Sequence, residues 1–308
     1  MKPFRFGAML GATGRDEWSR QLQTAETLGY SIVTVADHFG ARLAPLPALA
    51  SAAEQVGLRL GTLVLSNDFR HPAVLAKESA SLDVLSGGRL ELGIGAGWLA
   101  DEYEASGIPM DEPGVRIDRL EEAIAIVKGL WGEGRLKFEG RHYRIDLDGQ
   151  PKPVQQPRPP ILIAGGSRRI LRLAGREADI VGISIPLDRG ERAQLSEGVV
   201  STTKEMIEQK LAWIGEGAGD RYDDLELNTL VFEAHVTGSA DDVLEQIGRQ
   251  TGIDPRVVRD SPQVLVGSAE EICEVIEERR SAHGISYYTF YEKDIETMAP
   301  VVERLSGG

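Results

Sequence analysis

The stretch from Gly61 to Trp98, GTLVLSNDFRHPAVLAKESASLDVLSGGRLELGIGAGW, constrains the fold more than any other part of the chain. A largely apolar run, Leu58 to Leu65, breaks at Ser66-Asn67-Asp68. A helical segment follows from Pro72 to Leu85 and opens on a proline, whose missing amide a first helical turn does not need. Gly87-Gly88 turns the chain into a second apolar run, Leu90 to Ile94, which ends among Gly93, Gly95 and Gly97. Strand, loop, helix and strand succeed one another, with polar groups and glycines at or just after each strand end. In a parallel α/β barrel, that is where a site is built.

The alternation continues in both directions. Phe4 to Leu10 reads as a strand, and Trp18, Leu22, Ala25 and Leu28 recur at helical spacing before Gly29. Ser31 to Ala36 is a β-branched strand, and Pro45 to Val56 a short helix closed by Gly57. Ile117, Leu120, Ile124, Val127 and Trp131 mark an amphipathic helix. Strands are then expected at Ile161–Ala164, Asp179–Ile183, Leu225–Val236 and Ser286–Tyr291. Helices are expected at Ser167–Ala174, Ser201–Gly215, Ser239–Gly248, from Ser268 to Gly284, and to about Leu305. Ser268 and Glu271 have the capping-box pattern.

About eight strands alternate with helices, and site-like motifs recur after several of them. This favours a (β/α)8 TIM barrel over a doubly wound sheet. One domain over residues 1–308 is expected, with an irregular insertion at about 133–160 and a polar, mobile loop at about 185–198. The insertion holds a hairpin turning at Glu139-Gly140-Arg141 and the run PKPVQQPRPP, Pro151 to Pro160, too rich in proline for a helix or a central strand.

Composition narrows the function classes. A chain of 308 residues, 42% hydrophobic, is long enough for a barrel that takes roughly 250. The net charge of −14 repels phosphodiester backbones and anionic lipid, so neither nucleic acid nor a membrane surface is an expected partner. An anionic ligand must therefore find a local basic pocket. The single cysteine, Cys273, excludes an intrachain disulfide and a multi-cysteine metal site, and fits a reducing, cytoplasmic location. The first residues, MKPFRFGAML, lack a long apolar segment, so no signal peptide is expected, and no apolar run approaches the ~20 residues of a membrane span.

Several motifs carry chemistry. ILIAGGSRRI, Ile161 to Ile170, is a strand, two glycines, a serine at the N-cap position and a helix. Free amides at a helix N-terminus bind phosphate, and Gly165 and Gly166 let a ligand approach the backbone. Arg168 and Arg169 sit in the first helical turn, where the dipole disfavours cations and a bound anion would reverse that preference. A plain tight turn is the alternative. GIGAGW, Gly93 to Trp98, is neither a dinucleotide fingerprint nor a P-loop; its glycines leave room for a flat ligand or for another backbone. Asp37-His38 ends the second strand, where it serves a ligand or fixes a loop. His71 before Pro72 caps the third helix or contributes to chemistry. No metal is expected, because the five histidines form no HxH or HExxH pair, and no GxSxG elbow is present. Tyr287, Tyr288, Phe290 and Tyr291 read as barrel packing.

SIVTVADHF, the Gly61–Trp98 stretch, PKPVQQPRPPILIAGG and VGSAEEICEVIEERRSAHGISYYTFYE together resemble the bacterial luciferase-like monooxygenase superfamily, and more narrowly its coenzyme F420-dependent oxidoreductase branch. The resemblance implies a TIM barrel that holds a flavin or deazaflavin at its C-terminal mouth, usually as a homodimer. It implies a phosphate site at Gly165-Gly166-Ser167 and a non-prolyl cis peptide at Leu63-Val64, behind the ring. It matches His38 to the catalytic histidine of the deazaflavin-dependent sugar-phosphate dehydrogenases. Those enzymes carry a tryptophan shortly after that histidine and a glutamate after strand four; Arg42 and Trp98 stand there in this chain, which speaks against sugar-phosphate oxidation by that mechanism.

The expected function is therefore hydride transfer between coenzyme F420 and a small-molecule substrate. The alternatives are an FMNH2-dependent two-component monooxygenase, with FMN in place of F420, and a non-catalytic flavin-binding protein. His38 and Asp37 are the expected catalytic residues. Leu63, Val64, Asn67, Gly95, Gly97 and Trp98 are expected around the ring, and Gly165, Gly166, Ser167 and Arg168 around the phosphate.

Overall fold

The computed structural model describes residues 1–185 and 203–306. The strands are β1 (Arg5–Met9), β2 (Ile32–Val35), β3 (Arg59–Thr62), β4 (Leu65–Ser66), β5 (Leu90–Gly95), β6 (Arg135–Glu139), β7 (Arg144–Asp148), β8 (Ile161–Gly165), β9 (Ile180–Ile183), β10 (Glu226–Val231), β11 (Glu233–Val236), β12 (Val264–Gly267) and β13 (Ile285–Tyr291). The helices are α1 (Arg15–Thr27), α2 (Pro45–Ala53), α3 (Pro72–Leu85), α4 (Ala100–Ser106), α5 (Pro113–Trp131), α6 (Arg168–Glu177), α7 (Lys204–Ala218), α8 (Ala240–Thr251), α9 (Pro255–Asp260), α10 (Ala269–His283) and α11 (Ile295–Leu305).

The sheet order β3-β2-β1-β13-β10-β9-β8-β5-β4, with β3 also pairing β5, closes the eight-stranded parallel barrel expected from the alternation. β4 continues the third stave after a break at Leu63-Val64, whose peptide bond is cis. The staves read as nearly continuous apolar runs because helices cover them outside and side chains fill them inside. Among the described residues no helix is long and apolar enough to cross a membrane.

The floor of the barrel, at the N-terminal ends of the strands, is charged. Arg5 reaches Glu91 and Glu226, each at 2.5 Å, and its guanidinium lies 4.6 Å above the ring of Tyr287. Arg59 adds a second bridge to Glu91. Four staves, β1, β3, β5 and β10, are thereby joined at one end.

One expectation needs correction. The segment Leu225–Val236, expected as one strand, is two: Phe232 separates β10 from β11, and its amide donates to the carbonyl of Gln263. β11 leaves the barrel and pairs with β12 above a small core of Leu244, Ile247, Val258 and Val264. α4, α9 and β12 were not anticipated, because each is too short to show a period. The polar loop expected at about 185–198 lies, apart from Ile185, outside the described residues. The hairpin is present as β6 and β7, and Glu122 accepts from the amides of Arg141, His142 and Tyr143 at its turn.

Candidate active site

The C-terminal ends of the strands open into a cavity of about 520 Å3, within the usual range for cofactor sites. Asp37 and His38 follow β2, Leu63 and Val64 interrupt the third stave, Gly95 to Trp98 end β5, and Gly165 to Ser167 join β8 to α6; all of them line it. Sequence positions far apart therefore converge because each lies just past a stave.

The glycines of β5 are dictated by close approach. A methyl group on Gly93 would sit 1.8 Å from the carbonyl oxygen of Thr62, and one on Gly95 would lie 2.9 Å from Val64 Cγ2. Gly97 has φ +78°, and its methyl would meet the Tyr103 hydroxyl at 1.9 Å. Gly95 and Gly97 still face the cavity, so one backbone path serves both packing and the open bed. Burial pushes the Tyr103 phenol up, and its hydroxyl donates to Asp68 at 3.1 Å.

His38 is placed by a residue that sequence reading missed. Its Nδ1 lies 3.0 Å from Oε2 of Glu102, while Oε1 of the same carboxylate accepts from the Phe39 amide at 2.9 Å. The Trp98 ring meets the imidazole edge-on, with centroids 5.9 Å apart. Asp37 does not orient His38. Its carboxylate accepts both guanidinium arms of Arg70, at 2.5 and 3.1 Å, and the Ser66 amide at 3.1 Å. It ties the end of β2 to the loop after β4, as a loop anchor would.

Two further residues expected at the cofactor lie outside the cavity lining. Arg168 does not line the cavity; it turns outward to Glu216 at 2.9 Å, and Arg169 pairs with Asp118. Acidic partners on neighbouring elements thus offset these cations at a helix start. Asn67 is buried beside Tyr143 and lies outside the cavity lining. Ser167 does begin α6, and its side chain makes no capping bond to the first turn. His71 accepts from the Ala73 amide at 3.3 Å, the capping alternative.

Two arginines on the wall were not singled out for the cavity. Arg42 forms a two-armed pair with Glu292, at 2.7 and 3.2 Å. Arg116, buried in the first turns of α5, donates to the carbonyls of Gly97, Ala96 and Asp111. In the sequence it reads only as one cation of an amphipathic helix.

A profile of the family described as luciferase-like monooxygenase matches residues 1–202. The chain belongs to the luciferase-like monooxygenase family. Among relatives of this luciferase-like protein, the F420-dependent glucose-6-phosphate dehydrogenase of Amycolatopsis mediterranei is 32% identical over 240 residues, 70% of this chain and 69% of that one. The FMNH2-dependent dimethylsulfone monooxygenase of Pseudomonas putida is 38% identical over 109 residues, 35% of this chain and 30% of that one. The coenzyme F420-dependent tetrahydromethanopterin reductase of Methanopyrus kandleri superposes with a TM-score of 0.77 at 18% identity, over 99% of this chain and all of that one. That last likeness concerns the barrel itself.

Proposed function

We propose that this luciferase-like protein is a coenzyme F420-dependent oxidoreductase that moves a hydride between the deazaflavin and a small organic substrate. The observation that carries the reading is the imidazole of His38, held by Glu102 on the wall of a cavity whose other sides are the Leu63-Val64 break, Gly95 and the Gly165-Gly166-Ser167 turn. The relative from Amycolatopsis mediterranei supports the choice of cofactor.

The cavity fits such a group. Gly95 and Gly97 present backbone to the cavity on which a flat ring would lie, and the uncapped start of α6 offers amides to a phosphate. Leu63, Val64, Gly95 and Gly97 would line the ring, and Gly165, Gly166 and Ser167 would hold the phosphate. When bound, the deazaflavin supplies the hydride chemistry. With Nδ1 committed to the Glu102 carboxylate, the proton of neutral His38 sits on that nitrogen, and Nε2 is the basic atom. Nε2 would take the proton of a substrate hydroxyl on oxidation, or return one on reduction. Trp98 and Phe69 add aromatic surface to the cavity lining. The carboxylate beside the imidazole comes from α4 rather than from the end of β5, where Trp98 stands. This favours a substrate other than a sugar phosphate, one with an apolar part against Trp98.

Side-by-side fluorescence-quench titrations with F420 and with flavin mononucleotide test the cofactor, and turnover of an enone or a secondary alcohol with the tighter binder tests the reaction. Tighter binding of flavin mononucleotide with oxygen-dependent turnover would replace this reading by the two-component monooxygenase. Tight binding without turnover of either class would leave a carrier. The homodimer rests on the family resemblance and the cytoplasmic location on the single cysteine; light scattering checks the former.

A further inference from the structure

A chain of net charge −14 that holds an anionic cofactor needs a cation at the site. The obvious cations beside the Gly-Gly turn are already committed: Arg168 and Arg172 to Glu216, and Arg169 to Asp118. Arg42, on the cavity wall, is paired with Glu292.

Arg116 differs from all of these. It lines the cavity with only 6% of its surface exposed. Its donors go to backbone carbonyls, those of Gly97, Ala96 and Asp111, and among the described residues no carboxylate pairs with it. Asp111, whose carbonyl Arg116 holds, gives its carboxylate to Arg119, which also takes Asp68. Carbonyls satisfy the N–H groups of a guanidinium but leave its charge uncompensated, and a buried uncompensated charge is costly. The turn that bears Arg116 is also fixed against the start of α6, because Arg169 donates to the Gly114 carbonyl at 3.0 Å and pairs with Asp118. The buried cation and the uncapped helix start therefore share one wall.

We infer that Arg116 is the charge partner of the cofactor's phosphate and makes this cavity selective for phosphate-bearing over phosphate-free forms of one chromophore. The inference rests on the cofactor occupying this cavity as proposed above. Arg116 also holds the Gly97 carbonyl, so loss of packing must be separated from loss of charge.

The test is a ratio of affinities. The deazariboflavin chromophore with and without its terminal phosphate is titrated by fluorescence quenching into wild type and Arg116→Gln, both checked for folding by thermal melting. A single charged hydrogen-bond partner corresponds to about 10- to 100-fold in affinity, so the substitution should cut the preference for the phosphate-bearing form by that factor. Binding of the phosphate-free form should change by less than about threefold, which is near the noise of packing effects. Equal weakening of both forms would make Arg116 a loop anchor and overturn the inference, as would no change in either.

Should Arg116→Gln not fold, Arg116→His decides. Its preference should be present at about pH 5.5 and lost at about pH 8, because the imidazole charge is then gone. A preference that does not fall across that range counts against the charge. Failure of wild type to bind either deazaflavin would refute the F420 reading separately. Flavin mononucleotide against riboflavin would then be the decisive pair, and a preference there that Arg116→Gln leaves intact would overturn the role of Arg116.

Discussion

The imidazole of His38 is aligned by Glu102, sixty-four positions along the chain, through a contact of 3.0 Å between Nδ1 and Oε2. That pairing fixes which ring nitrogen can work. His38→Ala should lower single-turnover rates by about 10²–10⁴-fold while cofactor affinity stays nearly constant. Glu102→Gln should lower the rate by a smaller factor within that span, because the imidazole survives without its acceptor. Stopped-flow reduction or oxidation of F420, beside a quench titration, measures both. A His38→Ala protein that melts early yet turns over normally would return His38 to a structural role.

The two glycines after β8 should separate. A methyl on Gly165 would lie 2.3 Å from Ile170 Cγ2, so Gly165→Ala should destabilise the fold by about 1–3 kcal/mol through overpacking. Gly166→Val should instead weaken cofactor binding with little change in stability, since a side chain there blocks approach to the α6 amides. Melting curves and titrations of the two variants should give opposite patterns. Unchanged affinity in a folded Gly166→Val protein would remove this turn from the binding site.

Asp37 should behave as an anchor. Asp37→Asn breaks its two-armed bond with Arg70 in a setting where neither partner is fully solvated, at a cost of about 3 kcal/mol. Urea denaturation should show that loss, while the rate per folded molecule stays within a few-fold of wild type. A stable Asp37→Asn protein with little turnover would make Asp37 a participant in the chemistry.

Lys210 gives the fold a pH dependence. Burial lowers its pKa from 10.5 to about 8, and its ammonium donates to the Ser184 carbonyl at 2.7 Å. Between those two values the unfolded chain binds more protons than the folded one, so this group makes stability rise with pH from about 8 to 10.5. Below about 8 the whole penalty is present, about 3 kcal/mol. Lys210→Met removes it and leaves one carbonyl without its donor, at about 1 kcal/mol. The variant should therefore be more stable at pH 7 by about 2 kcal/mol, with the gap closing by about pH 10. Equal urea midpoints at pH 7 would contradict this.

What could be read from the sequence follows from what leaves a period or a punctuation mark. The staves and their helices did, through apolar runs ended by Gly29, Gly57 and Gly87-Gly88 and through the capping pair Ser268 and Glu271, which forms as a capping box. The chain's departure from the barrel at Phe232 did not, because no glycine or proline marks it and the amide of Phe232 goes to a remote carbonyl at Gln263. The clustering of Asp37, His38, Gly95, Gly97 and Gly165 followed from strand ends alone. Glu102 was hidden because α4 has only seven residues and no capping side chain. The outward course of Arg168 was hidden because a helix start says nothing about a carboxylate on α7 that draws the side chain away.

The floor of the barrel has a meaning for anyone who would alter this protein. Arg5, Glu91, Glu226 and Arg59 buckle four staves together at the end remote from Glu102, Arg116 and the Gly165-Gly166 turn. The ring is shut by one set of residues and equipped by another. Loops at the mouth can be exchanged, shortened or grafted as parts, while those four side chains are the ones a designer should leave alone.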